Sequence, residues 1–457
     1  MKKASVNMTE GNILRSLIYF AVPILIGNIF QQLYNVADTA IIGNISGDDA
    51  LASIGVSAPV YNLIIGFAGG LTNGFAVITA RYFGADDKES MKKAVSLTYI
   101  LSAVTAMLIT AVSLISVHPL MTALKTPENI IGDTERYMKI ISAFSAVTVA
   151  YNMFAGMMRA VGNSKAPLYF LVVSVFVNIV LDILFIKYFN MGVAGAGYAT
   201  VISQAVSVVL CIVYALKRCR FLIFSRKELS WDRSLISDLI VTGLSMGLMY
   251  AIVSVGSVIL QGAVNSLGSD TITAHTSARK IDDLFMLPLG TIAMASSTFA
   301  SQNYGAGKTD RLKKGIYYSI LISWAWSAFS TAVVLFFRVP IIKSLTGTSN
   351  PAVISTASRY IIWNVSFFFI LGVLLTLRSS LQGVGRKAVP ISASAVEFSF
   401  KLLAVGVLVP RFQYFGICIL EPIIWTVCAL MVVADYAVFI RRTNSIKEKC
   451  MAYSQAV

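Results

Sequence analysis

Charged residues are scarce in this chain, and their scarcity excludes an ordinary soluble protein. Only 13% of the 457 residues are Asp, Glu, Lys or Arg, whereas 56% are hydrophobic. A soluble protein keeps about a quarter of its residues charged, because its surface faces water. So little polar surface is stable only where lipid covers the outside. The composition therefore predicts an integral membrane protein.

Histidine and cysteine are also rare, which argues against a metal centre or a disulfide framework. The chain has two histidines and five cysteines, and the cysteines follow no regular spacing. Two glycine-containing segments resemble nucleotide-binding motifs without matching them. The segment 305–309 lacks the leading glycine of a P-loop, since residue 302 is Gln302, and 192–197 lacks the dinucleotide spacing. The sequence predicts no cofactor, no nucleotide and no enzymatic activity.

Long apolar runs are what the sequence has instead. A helical membrane crossing needs about 20 apolar residues. Twelve runs meet this requirement, which predicts an all-α polytopic membrane protein. The predicted spans, numbered 1 to 12, are 15–42, 50–80, 94–118, 134–158, 167–189, 193–216, 235–262, 271–301, 315–337, 353–377, 388–409 and 414–440.

The basic residues are distributed asymmetrically. A net charge of +15 could indicate a nucleic-acid partner. Most Lys and Arg residues, however, fall in the segments that share one side of the membrane when both termini are cytoplasmic. This is the positive-inside rule, so the charge reports topology and predicts cytoplasmic termini. The same asymmetry argues against nucleic acid as a partner.

The sequence is internally duplicated. Segments of the first half recur in the second half at a nearly constant offset; the pairs are 81–85 with 302–306, 92–93 with 313–314, 161–162 with 384–385, and Pro167 with Pro390. Six spans per half predict parallel repeats about an axis along the membrane normal. The predicted domains are an N-lobe (1–216), a basic cytoplasmic linker (217–233), a C-lobe (234–441) and a cytoplasmic tail (442–457). Two six-helix lobes would enclose a central cleft, which favours alternating access over a pore.

Two acidic residues lie deep within predicted spans of the N-lobe, where an ionised group is costly. Asp38 on span 1 and Asp182 on span 5 both fall in the outer half of the membrane, at about 1.5 Å rise per residue. Asn178 lies one turn before Asp182, and Thr200 on span 6 has a similar depth. Carboxylate, amide and hydroxyl oxygens suit Na⁺, and a buried carboxylate can also hold a proton. These four residues predict a cation-coupling site; a hydrogen-bonded structural cluster is the alternative.

Other polar residues on span 1 share the helix face of Asp38. Gln31 and Tyr34 precede it by seven and four residues, so they are expected to point into the same cleft. Pro23 removes a backbone hydrogen bond from this span and predicts a hinge. On span 2, glycines at 66, 70 and 74 form a ladder that predicts close helix packing.

A second polar cluster lies on span 8 and consists of His275, Arg279, Asp282 and Asp283. The spacing places Arg279 at pairing distance from both Asp282 and Asp283. A self-neutralising structural cluster and a direct role in transport both remain open from the sequence. On span 11, Glu397 and Lys401 are four residues apart, and we interpret them as a structural ion pair.

The chain resembles the multidrug and toxic compound extrusion (MATE) family over essentially its whole length. The resemblance is carried by Pro23 and Asp38 on span 1, the Gly-Ala loop after span 2, the segment 159–164 after span 4, and Asn178 with Asp182 on span 5. It implies a secondary active multidrug efflux antiporter in a prokaryotic plasma (inner) membrane. Such a transporter exports amphipathic organic cations, or xenobiotics more broadly, in exchange for H⁺ or Na⁺, and works as a monomer in the lipid bilayer.

The resemblance also implies roles for individual residues. Residues that match Asp38, Asn178, Asp182 and Thr200 couple transport to the ion, including Na⁺ binding in some relatives. Those that match Gln31, Tyr34 and Asn152 line the substrate cavity.

Some family members couple through acids on spans 7 and 10. Here span 10 has no acid, span 7 has only Asp238 at its cytoplasmic start, and the repeat offset takes Asp38 to Ile259. Coupling is therefore expected in the N-lobe. A flippase of the same superfamily that moves lipid-linked oligosaccharide is the alternative, although its cavity would be strongly basic. A channel or membrane enzyme is disfavoured, because no filter motif or catalytic dyad is present.

Overall fold

The computed structural model of the chain describes residues 7–124, 126–346 and 350–456, and these residues form helices and no β-strand. The predicted all-α fold is confirmed. The main helices in the described ranges are α1 Ile13–Ser46, α2 Asp48–Gly84, α3 Lys88–Ala123, α4 Glu128–Ala143, α5 Ser145–Ala160, α6 Lys165–Tyr188, α7 Gly192–Arg218, α8 Arg233–Asn265, α9 Ser269–Gly305, α10 Thr309–Thr346, α11 Pro351–Ser366, α12 Phe368–Gly383, α13 Ala388–Phe412 and α14 Tyr414–Ala456.

Ten of these helices are each long and apolar enough to cross a membrane. The pairs α4–α5 and α11–α12 are each bent by 49°, and the count becomes the predicted twelve when each pair is one crossing. The bends fall at Phe144 and Phe367, two positions that the offset of the sequence repeat relates to each other. Neither position has the proline or glycine that would predict a kink from sequence; Ser145 follows Phe144, and Ser366 precedes Phe367.

Two helices share a further irregularity. The last turns of α6, Ile183–Tyr188, form a π-helix directly after Asp182. A π-helical turn also occurs at the repeat-related part of α13, at Ala404–Leu408. A π-helical turn has i→i+5 hydrogen bonds and is found mainly at functional sites. The duplication seen in the sequence therefore extends to the backbone geometry.

The first compact unit comprises Ile18–Ser254 together with Asn7 and Met8, and α2 is its most buried single-helix span. The glycine ladder lies where α2 meets α8. A Cβ atom on Gly74 would lie 2.5 Å from the Cα of Gly243, and one on Gly70 would lie 2.6 Å from the carbonyl oxygen of Met246. The predicted close packing is confirmed at these two glycines. Gly66 is less crowded, since its Cβ would meet its neighbour at 3.6 Å.

The second compact unit comprises Thr9–Leu17 and the chain from Val255 onward. Its most buried single-helix span is α9. The N-terminal segment is held by Arg311, whose guanidinium donates to the carbonyl oxygens of Glu10 and Gly11 at 2.6 and 2.7 Å. The predicted lobe boundary at the linker 217–233 concerns the sequence repeat, and it stays a prediction.

Candidate functional site

Asp38 and Asp182 lie together in the first unit. Asp38 comes from α1 and Asp182 from the point in α6 where the π-helical turn begins. Their carboxyl groups are close enough to interact electrostatically, and Asp182 is fully buried. Within the described residues, neither oxygen of Asp182 nor Oδ1 of Asp38 has a hydrogen-bond partner. The sequence placed these acids at a similar depth, and the structure brings them into one site.

Asn178 extends the site by one helical turn. Its side chain is 1% exposed, and neither of its polar atoms has a hydrogen-bond partner among the described residues. Buried polar groups are normally paired, so an unpaired amide beside unpaired carboxylates is a site with spare ligand capacity. The group of Asp38, Asp182 and Asn178 is called the acid site below.

Thr200 and Tyr34 form one side of the acid site. The hydroxyl of Tyr34 and Oγ1 of Thr200 are 2.8 Å apart and share a hydrogen bond. Tyr34 also interacts electrostatically with Asp38. The threonine hydroxyl therefore already has a partner, which is a point the spacing of the sequence could not show.

Two further tyrosines surround the acids, and no pattern in the sequence indicated them. Tyr61 on α2 and Tyr137 on α4 both interact electrostatically with Asp38, and Tyr137 also with Asp182. Together with Tyr34 on α1, three tyrosines from three helices therefore surround the acid site. Tyr61 and Tyr137 lie on helices that carry neither acid, so only the fold brings them close to Asp38.

A cavity adjoins the acid site. Its volume is about 230 Å³, and the predicted cavity residues Gln31, Tyr34 and Asn152 all line it. The other lining residues are uncharged, and most of them are polar or aromatic; they are Asn35, Tyr61, Asn62, Ile65, Thr148, Tyr151, Leu171, Ser174, Val175, Ser203, Gln204 and Ser207. No charged residue is among the described residues that line it. Tyr34 and Tyr61 line the cavity and also interact electrostatically with Asp38 of the acid site.

Pro23 lies in α1, upstream of these residues. It is buried, and α1 continues as one helix from Ile13 to Ser46. Loss of a backbone hydrogen bond at this point makes it a weak position of the helix. Its role as a hinge stays a prediction.

The second polar cluster lies in α9, in the second unit. Arg279 Nη2 binds Asp283 Oδ1 at 3.4 Å, and Arg279 Nη1 donates to the hydroxyl of Tyr360 at 3.5 Å. Asp282, also at pairing distance along the helix, interacts electrostatically with Arg279, but no ion pair or hydrogen bond joins the two among the described residues. Its carboxyl group is fully buried, and neither oxygen has a hydrogen-bond partner among the described residues.

His275 forms no ion pair with any residue that the structure describes. Its Nδ1 lies 3.2 Å from the hydroxyl of Tyr414, and its ring packs edge-on against Tyr360 with centroids 4.9 Å apart. Edge-on contacts with Tyr360 and Tyr414, together with the hydrogen bond to Tyr414, hold the ring in the core. The site role predicted for this cluster stays untested.

A buried network of charges lies beside this cluster. Lys401 Nζ binds Glu397 at 3.0 Å and Glu421 at 3.4 Å, and Arg378 lies 3.8 Å from Glu397. The predicted pair of Glu397 with Lys401 is therefore confirmed. Arg378 and Glu421, from α12 and α14, were missed, because neither lies at a pairing distance along the chain. Glu421 also interacts electrostatically with Asp282, so the two groups are neighbours.

Known proteins match the chain along most of its length. The family model MatE matches twice, at residues 23–184 and 245–405. The Bacillus subtilis protein named "Probable multidrug resistance protein YpnP" is 26% identical over 393 residues, covering 86% of this chain and 87% of that protein. A Shewanella oneidensis protein named "FAD transporter" is 23% identical over 393 residues, covering 84% of each chain.

Solved structures share the fold. A MOP superfamily transporter from Pyrococcus furiosus, described as having a binding pocket of reverse polarity, superposes with a TM-score of 0.87 at 23% identity, covering 97% of this chain and 99% of that one. An outward-facing multidrug resistance MATE transporter gives a TM-score of 0.86 at 24% identity, covering 96% and 99%. The family model matches both halves of the duplicated helical fold. The chain thus belongs to the MATE family of multidrug transporters.

Proposed function

We propose that this protein is a secondary active antiporter that exports amphipathic organic cations in exchange for H⁺ or Na⁺. The observation that carries the proposal is the acid site, whose carboxylate oxygens lack partners among the described residues, beside a cavity whose described lining has no basic residue. We further propose that it works as a monomer in a prokaryotic plasma membrane with both termini in the cytoplasm.

The cavity supports a cationic cargo. Tyrosine rings attract cations through their faces, and amide and hydroxyl oxygens can accept hydrogen bonds from an ammonium group. An anionic cargo would instead need cations in the lining, and the lining has none among the described residues. This consideration disfavours a lipid-linked oligosaccharide. One relative is named a FAD transporter, and one solved structure is described by a binding pocket of reverse polarity, so the shared fold does not fix the cargo. The cargo has to be inferred from the cavity lining of this chain.

The acid site supports ion coupling. Two adjacent buried carboxylates cannot both remain ionised without a compensating cation, because desolvation and mutual repulsion both oppose it. A proton or Na⁺ from solution would supply the missing charge. Tyr34 lines the cavity, binds Thr200 and interacts with Asp38. We therefore expect binding of cargo in the cavity to be coupled to binding of the ion at the acid site.

The test uses purified protein in proteoliposomes with an imposed Na⁺ or pH gradient, one at a time. Asp38→Asn and Asp182→Asn should each abolish gradient-driven export of a cationic dye, because each removes the charge with little change in volume. Asp133→Asn is the matched control, since Asp133 is an exposed acid in α4. The proposal fails if both acid-site variants retain gradient-dependent export.

The ion can be identified with the remaining ligands. Asn178→Ala and Thr200→Ala should weaken Na⁺-driven export more than proton-driven export, because each truncation removes a Na⁺ ligand while a proton needs only a carboxylate. If only a pH gradient drives export, and both variants lower its rate equally and mildly, the coupling ion is H⁺. Strong effects with a Na⁺ requirement would identify Na⁺.

A further inference from the structure

A pocket rich in basic residues lies in the second unit, where α10 ends and α11 begins. Its volume is about 640 Å³, and three basic side chains line it, those of Arg338, Lys343 and Arg359. The remaining lining residues are Val339, Pro351, Ile354, Ser355, Ser358, Ile362 and Trp363. This set is called the basic pocket below. No carboxylate occurs among the described residues that line it.

The corresponding place in the first repeat is neutralised. There Glu135 on α4 binds His118 at 2.5 Å and Lys139 at 2.7 Å. The offset that aligns the bends at Phe144 and Phe367 takes Glu135 to Ser358, which lines the basic pocket. The second repeat thus has a serine where the first has the carboxylate, and Arg359 keeps the basic residue that the first repeat has at Arg136. On the predicted topology this end faces outward, where basic residues are normally depleted, so another reason for them is needed.

The composition of the basic pocket favours an anion that carries an apolar group over a free inorganic anion. Pro351 is the first residue of α11 and has no N–H, and the N–H of Ala352 already donates to Asn350 Oδ1, so the N-terminus of α11 contributes the partial positive charge of the helix. Ser355 and Ser358 provide hydroxyl donors. Ile354, Ile362 and Trp363 add apolar surface that a free inorganic anion could not use. Tryptophan is also typical of the level at which lipid headgroups lie.

The neighbouring surface of α10 faces lipid. Phe336 is 80% exposed and Phe337 is 57% exposed, and both precede Arg338 directly. Exposed phenylalanines in a membrane helix contact acyl chains. The basic pocket therefore opens beside a surface that contacts lipid tails.

We propose that the basic pocket binds the phosphate of an anionic phospholipid headgroup, with the acyl chains lying along α10. Three cations and the α11 N-terminus hold the phosphate, while Trp363 and the isoleucines contact the glycerol and upper acyl region. Each basic residue near an anionic headgroup is worth about 1 kcal/mol, which is about fivefold in affinity.

The test measures binding of phosphatidylglycerol to the full-length protein in detergent micelles, by the rise in thermal-unfolding midpoint with lipid concentration. Phosphatidylcholine and inorganic phosphate are the comparison ligands. Phosphatidylglycerol should stabilise the wild type, whereas phosphatidylcholine should not. Arg359→Gln should raise the phosphatidylglycerol concentration needed for half of the stabilisation about fivefold. The triple variant, with Arg338→Gln and Lys343→Gln added, should show no stabilisation by phosphatidylglycerol.

Arg136→Gln is the matched control, because the repeat offset takes Arg136 to Arg359 and it removes the same charge outside the basic pocket. It should leave the phosphatidylglycerol effect unchanged. Quenching of Trp363 fluorescence by phosphatidylglycerol with brominated chains is a second readout. The Trp363→Phe variant measures the quenching of the other tryptophans, which is subtracted from that of the wild type. The proposal is overturned if the triple variant keeps the wild-type response, if Arg136→Gln loses it equally, or if inorganic phosphate at the same concentration replaces the lipid.

Discussion

The contact between α2 and α8 allows a sharp test of the packing. Gly74→Ala would place a Cβ atom 2.5 Å from the Cα of Gly243 and 2.6 Å from the carbonyl oxygen of Thr242. Both are backbone atoms and cannot rotate away. Ordinary contact begins at about 3.4 Å, so the two helices would have to separate by roughly 1 Å. Overpacking of this kind costs about 1–3 kcal/mol.

The matched control is Gly66→Ala, two turns away on the same helix. Its Cβ atom would meet Tyr250 at 3.6 Å, which is ordinary contact. Alanine in place of glycine favours a helix by about 1 kcal/mol, so this variant should be as stable as the wild type or more stable. The gain in helix propensity is common to both variants, so Gly74→Ala should be less stable than Gly66→Ala by the cost of overpacking alone, about 2 kcal/mol.

The assay compares the fraction of detergent-solubilised protein that remains monodisperse after heating. A change of 1 kcal/mol moves the midpoint by about 2–4 °C in a unit of this size. The midpoint of Gly74→Ala should therefore lie at least about 4 °C below that of Gly66→Ala. Equal midpoints for the two variants would show that α2 and α8 do not pack as closely as described.

Three further predictions concern coupling, the charge network and energetics. Tyr34→Phe removes the hydrogen bond to Thr200 and should cost about 0.5–1.5 kcal/mol of stability. It should also weaken gradient-driven dye export; unchanged export would show that Tyr34 does not couple the cavity to the acid site. Lys401→Met leaves two buried carboxylates without their shared cation and should cost about 3–5 kcal/mol, seen as loss of monodisperse protein. A wild-type yield for this variant would refute the network. Two ions entering per monovalent dye would make export electrogenic, worth about 2.3 kcal/mol per 100 mV, so clamping the potential with K⁺ and valinomycin should change the final dye ratio. A ratio indifferent to the clamp would favour one-for-one exchange.

The sequence predicted most of what depends on spacing along one helix. The span count, the duplication and the close packing at Gly70 and Gly74 all follow from periodic patterns. The i,i+4 rule likewise predicted the pairs Arg279–Asp283 and Glu397–Lys401. Such features need only the geometry of a single helix, and the repeat offset supplies the rest.

What the sequence missed depends on contacts between helices. Arg378 and Glu421 join a network with partners on other helices, and no spacing rule connects them. Tyr61 and Tyr137 approach Asp38 for the same reason. The rule also predicted a pair for Asp282 that does not form, because the Arg279 guanidinium binds the neighbouring carboxylate, which is 56% exposed.

The two repeats differ in how their buried polar sites obtain positive charge. The offset that relates the two bends also takes Asn178 to Lys401, so the position of an unpaired amide in the first repeat is that of a buried ammonium group in the second. A lysine is covalently tethered and cannot dissociate, so its carboxylates hold a permanent counter-ion. The first repeat has no such charge at the position of Asn178. Under the proposed antiport, the first half is the one that binds and releases a cation from solution, whereas the second half carries its cation on a side chain.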